Sequence, residues 1–191
     1  MSVRATVALF VVLVAAALAV AGCGGSSDQT VSIGEETITV PSDTHGVYAE
    51  LEAILDQLPY QSWYAKCVVG EVEKVLSPSE AEALSELPTS ERERKAMEIT
   101  AKAGPTCEQR HHRPVVDPNA TTKELDLLRA GYVTSMTAVA ESHGASPTQT
   151  ACIEKGFENL SPKALVGIGN GTTKVREGIL LSVFKPCSKL K

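Results

Sequence analysis

Hydrophobic positions along the chain follow three different patterns. Residues 7–20 (VALFVVLVAAALAV) are an uninterrupted apolar run. Between 31 and 44 the pattern changes: Val31, Ile33, Ile38 and Val40 alternate with polar residues on either side of Gly34-Glu35. Period-two β-branched residues around a glycine-containing turn predict a small β-hairpin. A two-stranded ribbon is marginal alone, so an extended arm is the alternative there. From Val47 onward the spacing is that of an α-helix. Leu51, Ile54, Leu55 and Leu58 fall at i, i+3, i+4 and i+7 before Pro59, and Tyr64, Cys67, Val68, Val72, Val75 and Leu76 repeat the pattern.

Helix starts are marked by capping residues. Ser77-Pro78-Ser79-Glu80 and Ser90-x-x-Glu93 each place a hydroxyl three residues before a carboxylate, the arrangement that satisfies the free N–H groups of a first turn. The helix opened at Ser90 is expected to stop at Gly104-Pro105. Residues 108–120 have no period and contain Arg110-His111-His112-Arg113 and Asp117-Pro118-Asn119, which reads as a linker. Thr121-x-x-Glu124 then opens a long helix with Leu125, Leu128, Tyr132, Met136 and Val139 on one stripe, ending near His143-Gly144. Ser146-Pro147-x-Gln149 opens a helix bearing Cys152, Ile153, Phe157 and Leu160, and Ser161-Pro162 a short one through Ile168. After Gly169-Asn170-Gly171, a last helix carries Val175, Ile179, Leu180, Val183 and Phe184 to Cys187.

The segments 45–107 and 121–191 repeat each other. Each has a leading helix, a cysteine early in the second helix, a Leu-Ser-Pro restart, a short helix, and a final helix ending at a second cysteine. The cysteine-to-serine intervals, 67 to 77 and 152 to 161, agree within one residue. If the second and fourth helices of each half run antiparallel, the start of one lies beside the end of the other. That geometry selects Cys67 with Cys107 and Cys152 with Cys187 from the three possible pairings. The expected fold is mainly α: a disulfide-stapled helical bundle of two similar halves, with a hairpin or arm at 31–44.

The apolar run has its own context. Arg4 precedes it, and Val20-Ala21-Gly22-Cys23 and then Gly24-Gly25-Ser26-Ser27 follow it. A charged start, a short apolar stretch and a small-residue exit make a secretory signal. A cysteine directly after Ala-Gly resembles the lipobox of bacterial lipoproteins. The resemblance implies removal of 1–22, a lipid on Cys23, a flexible tether over 23–30 and a position on the extracytoplasmic face of the cell membrane. Residues 5–22 approach the length of a spanning helix, but the small-residue exit favours cleavage. The Cys-helix-Leu-Ser-helix-Cys layout is similar to that of small exported helical modules of uncharacterised function, from which no residue role is carried over.

Composition gains meaning once 1–22 is set apart. The chain of 191 residues has 43% hydrophobic residues and a net charge of −5. The 169 residues from Cys23 onward are about 38% hydrophobic with a net charge of −6. This is low for a self-supporting core, which is where disulfides matter. The acidity argues against nucleic acid, since no surplus of Lys and Arg displaces phosphate counterions, and 4% aromatic residues argue against a base-stacking platform.

Motifs that would carry chemistry are sparse. No Cys-x-x-Cys, Gly-x-Ser-x-Gly or metal-spaced His/Cys set occurs. His111-His112 is the one histidine cluster, and the guanidinium groups of Arg110 and Arg113 beside it repel a metal cation; a tethered basic stretch of this kind also suits anionic lipid headgroups, but the net acidity of the chain argues against that as its main function. Gly167-x-Gly169-x-Gly171 has neither phosphate-loop nor dinucleotide spacing. Asn119-Ala120-Thr121 and Asn170-Gly171-Thr172 match glycosylation sequons. The reading is a lipid-anchored, non-enzymatic binding or scaffold module without cofactor. Its partners would be the membrane, through Cys23, and an envelope protein or small apolar ligand in a groove between the halves. The alternative is an envelope hydrolase or metal-dependent enzyme using His111 and His112.

Overall fold

A computed structural model describes residues 29–33, 36–41, 47–85, 87, 99 and 103–190. The signal-like run, Cys23, His45 and the Ser90 capping box lie outside the described residues. Strands β1 (Gln29–Ile33) and β2 (Glu36–Val40) pair antiparallel, with Gln29 opposite Val40 and Ile33 opposite Glu36. Ile38 and Val40 are buried while Thr37 and Thr39 between them are exposed, so one face of the ladder joins the core. That face lies against helices α1 and α5.

The first half comprises α1 (Val47–Leu55), α2 (Ser62–Glu73), α3 (Pro78–Ser85) and α4, residues 103–111. The second comprises α5 (Thr122–Ser142), α6 (Pro147–Glu158), α7 (Pro162–Asn170) and α8 (Thr173–Cys187). Disulfides Cys67–Cys107 and Cys152–Cys187 tie the second helix to the fourth in each half, with Cα separations of 5.9 and 5.6 Å. The molecule is therefore a mainly helical, disulfide-stapled bundle of two like halves.

Local chemistry accounts for the helix starts. Thr121 and Glu124 form a reciprocal capping box, as do Ser146 and Gln149, and the Ser161 hydroxyl accepts from the Ala164 N–H. Glu80 accepts from the Ser77 N–H at 2.8 Å and from its hydroxyl at 2.6 Å, and these bonds hold the exposed Glu80 carboxyl below the usual carboxylate range. At the end of α5, Gly144 has φ +82°, a left-handed turn that a Cβ would strain.

Packing follows the stripes. Leu51, Ile54, Leu55 and Leu58 of the α1 region, Tyr64, Val68 and Val72 of α2, and Leu125, Leu128, Tyr132 and Met136 of α5 share one core with Ile153, Phe157, Leu165, Ile168 and Val183. An aromatic series, Tyr132, Phe157 and Phe184, runs through the second half with centroids 6.4 and 6.0 Å apart. Two expected core positions are exposed instead. Val75 (54%) falls beyond the end of α2, and Val175 (46%) sits in the first turn of α8.

Two further expectations are corrected. Gly104-Pro105 does not halt a helix; both lie in α4, which continues through Cys107 to His111. Proline lacks an N–H but its φ is compatible with helix, so Pro105 can be carried within one. Residues 108–120 are not a plain linker either. Val115 and Val116 are among the most buried side chains, at 2% and 0% exposure.

Candidate functional site

The distinctive feature of the interior is the strap that joins the halves. Pro114 precedes Val115, and Asp117-Pro118 follows Val116. A residue before proline is driven to extended backbone, and two adjacent β-branched residues favour the same conformation. Val116 accordingly pairs with Tyr60 as an isolated antiparallel bridge. Gln61 N–H donates to the Val115 carbonyl at 2.8 Å, and Asp117 N–H donates to the Pro59 carbonyl at 2.7 Å.

The other side of the strap is held by one side chain of the second half. Asn170, the last residue of α7, accepts at Oδ1 from the Val115 and Val116 N–H groups, each at 2.7 Å, and donates from Nδ2 to the Val116 carbonyl at 2.7 Å. Gly169 beside it permits the approach: a Cβ there would lie 2.3 Å from Val116 Cγ2. The space between the halves, expected to be a groove for a peptide helix or small apolar ligand, thus holds the chain's own Val115 and Val116.

A second connection lies alongside. Arg176 donates from Nε to the Gly171 carbonyl at 2.9 Å and from Nη2 to the Gly169 carbonyl at 2.6 Å. Its Nη1 reaches Glu108 of α4 at 2.7 Å, so one guanidinium closes the end of α7 and bridges the halves. Tyr60, Tyr64 and Tyr132 share this neighbourhood. Burial raises all three phenol pKa values; the Arg176 guanidinium offsets part of this at Tyr132 and Tyr64, and the Glu108 carboxylate adds to it at each. The phenols therefore stay protonated across the physiological range and serve as neutral polar groups.

The sequence-predicted residues are distributed as follows. Cys67, Cys107, Cys152 and Cys187 are paired; Cys23 lies outside the described residues. His111 and His112 end α4 and are exposed, with the His111 ring tilted over Trp63 at 4.8 Å between centroids. His112 has φ +48°, turning the chain out of the helix. His143 is the C-cap of α5, and its Nδ1 lies 2.9 Å from the Val139 carbonyl, remote in sequence from the pair. Among the described residues no group of three His, Cys, Asp or Glu side chains converges as a metal site would. Gly167 and Gly171 serve the tight junction of α7 with α8, where a Cβ would meet Ile179 at 2.9 Å or the Gly167 carbonyl at 2.4 Å.

Glu108, Arg176 and the Val115-Val116 pair were not singled out by sequence reasoning, and Asn170 was read only as a turn residue and a glycosylation sequon. The strap had a signal: two valines between prolines form a short extended segment. No comparable signal marks Asn170, which in Gly-Asn-Gly looks like any turn residue. No protein-family model, curated protein or solved structure matches the chain.

Proposed function

We propose that the chain is a lipid-anchored protein of the cell envelope, held at the extracytoplasmic face of the membrane through Cys23, where it acts as a non-enzymatic binding or scaffold module. The observation that supports this best is the use of cysteine. Four of the five cysteines pair within the fold. Such bonds persist in compartments where cellular thiol systems do not reduce them. Cys23 is the one left over, and it stands where a lipobox places its acylated cysteine.

The buried polar groups favour a structural role over a catalytic one. Asn170 is committed to the strap, Arg176 and Glu108 to each other, and His111 rests on an indole. None of these leaves a nucleophile beside a base, which is what nucleophilic catalysis requires. Among the described residues no helix is long and apolar enough to cross a membrane; in this reading attachment is through the lipid on Cys23.

The test is fractionation of cells producing the wild type and Cys23→Ser, with mass analysis of the N-terminal peptide. The expected result is a peptide beginning at Cys23 with an added diacylglyceryl mass, and release of the variant from the membrane fraction. An unmodified Cys23, or a variant that stays with the membrane as fully as the wild type, would overturn the anchor. Crosslinking in intact cells tests the module itself, for which a reproducible envelope partner is expected.

A further inference from the structure

The C-terminal end of α4 and the N-terminal end of α2 build one corner of the molecule. Arg110, His111, His112 and Arg113 are all exposed there, and Arg110 is 51% exposed. Trp63 lies under His111, and Lys66 follows Trp63 at i+3, on the same face of α2. Glu71 accepts from both Arg110, at 2.9 Å, and Lys74, at 2.7 Å. Glu108 is turned away to Arg176. A helix C-terminus attracts cations, which accounts for a basic residue in the last turn of α4. It does not account for Arg113, which lies beyond the helix, or for Lys66 on a different one.

A relay of pairings joins the start of β1 to this corner. Gln29, the first residue of β1, pairs with Val40. Neighbouring Thr39 exchanges two hydrogen bonds with Gln57, at 3.3 and 2.7 Å. Three residues further on, Tyr60 pairs with Val116, which follows Arg113 by three. Five residues lie between Cys23 and Gln29, and the six steps of chain reach about 20 Å when extended.

We propose that this corner is the membrane-facing surface of the protein, where Lys66, Arg110 and Arg113 take the phosphate groups of anionic lipid headgroups and Trp63 rests at the headgroup level. The proposal rests on anchoring through Cys23. Because the anchor already holds the protein at the surface, the corner sets orientation instead of supplying affinity. Each basic residue near an anionic surface favours the facing orientation about fivefold. The remainder of the chain from Cys23 onward, with a net charge of −9 once Lys66, Arg110 and Arg113 are set apart, is repelled from that surface. Tryptophan suits the position because its ring is apolar and its N–H wet.

Trp63 is the single tryptophan of the chain and reports directly. Residues 23–191 hold every described element, and with both disulfides intact Cys23 is the one free thiol. That thiol is coupled to a maleimide lipid in vesicles of phosphatidylcholine, with or without phosphatidylglycerol, and quenching of Trp63 by brominated acyl chains is recorded. Quenching is expected in the anionic vesicles, to be suppressed by 0.5 M salt, which shortens electrostatic reach to roughly 4 Å, and to be small in phosphatidylcholine alone. Lys66→Gln with Arg113→Gln leaves the Arg110–Glu71 pair in place. It is expected to lower the ratio of facing to other orientations about twenty-five-fold, and quenching falls with it. Equal quenching in both compositions, no quenching in either, or quenching undiminished by the double substitution would overturn the proposal. Chemical coupling supplies the tether here, so failure of lipidation in cells would be seen separately in the mass of the Cys23 peptide.

Discussion

The Asn170 carboxamide accepts from two successive backbone N–H groups and donates to the carbonyl of the second residue, covering the strap edge that Tyr60 leaves open. Removing it orphans three partly buried backbone groups at once. An unsatisfied buried donor costs roughly 1–3 kcal/mol, and such losses at one site are not additive. Asn170→Ala is therefore expected to lower stability by about 2–4 kcal/mol, read from the midpoint of urea unfolding at unchanged slope. A loss below about 0.5 kcal/mol would mean that water replaces the carboxamide. Residues of this kind are hard to read from sequence. The valines it holds could be found from their proline flanks, but a clamping asparagine and a turn asparagine are spelled the same way. Their difference lies in what stands opposite after folding, fifty-four and fifty-five positions away.

Among the elements, legibility followed the range of the interactions. Capping is decided within four residues, and Ser77, Thr121, Ser146 and Ser161 all cap as their spacing predicts. The apolar stripes of α1, α2 and α5 were equally plain, since a period of 3.6 over several turns has few alternative explanations. The errors came where tertiary context outweighs local preference. Gly104-Pro105 has the composition of a stop yet lies in helix, because the helix must carry Cys107 to its partner on α2. Residues 108–120 lacked a period because one part is helix and another an extended strap, each too short to show its repeat. The caps themselves are open to test. Thr121→Ala removes the oxygen that accepts from Glu124 N–H at 3.3 Å, and a loss of about 1 kcal/mol is expected. Helicity at 222 nm, followed through thermal unfolding, checks it; an unshifted midpoint would show the box to be redundant.

At the scale of the molecule, the duplicated pattern was legible because it rests on order. Dissimilar features recur in the same sequence, and the disulfides then fall where antiparallel second and fourth helices place them. The anchoring through Cys23 proposed above depends on processing machinery outside the chain, which folding physics alone does not write into a sequence. The stapling has a measurable consequence. In the loop-entropy view, a bridge closing about 35–40 residues stabilises by up to about 4 kcal/mol, a large share of a typical total of 5–15 kcal/mol. The strap, Asn170 and Arg176 couple the halves, so replacing Cys67 and Cys107 together by Ala should lower one common unfolding midpoint. Calorimetry checks this: two separated transitions, with the second half melting at its original temperature, would show that the halves are not coupled.

The same bridges also govern how the molecule would respond to a pull. Residues between Cys67 and Cys107, and between Cys152 and Cys187, span 40 and 35 steps of chain that cannot pay out while the bonds hold. At about 3.5 Å per residue, each bridge withholds more than 100 Å of extension. Stretched between its ends, the polypeptide would lengthen mainly through the tether, the β1–β2 ladder, the leading helices and the strap, and then stiffen. A protein held at one end by a membrane and loaded at the other would thus have a short, covalently limited stroke, with two knots of helix surviving after the rest had straightened.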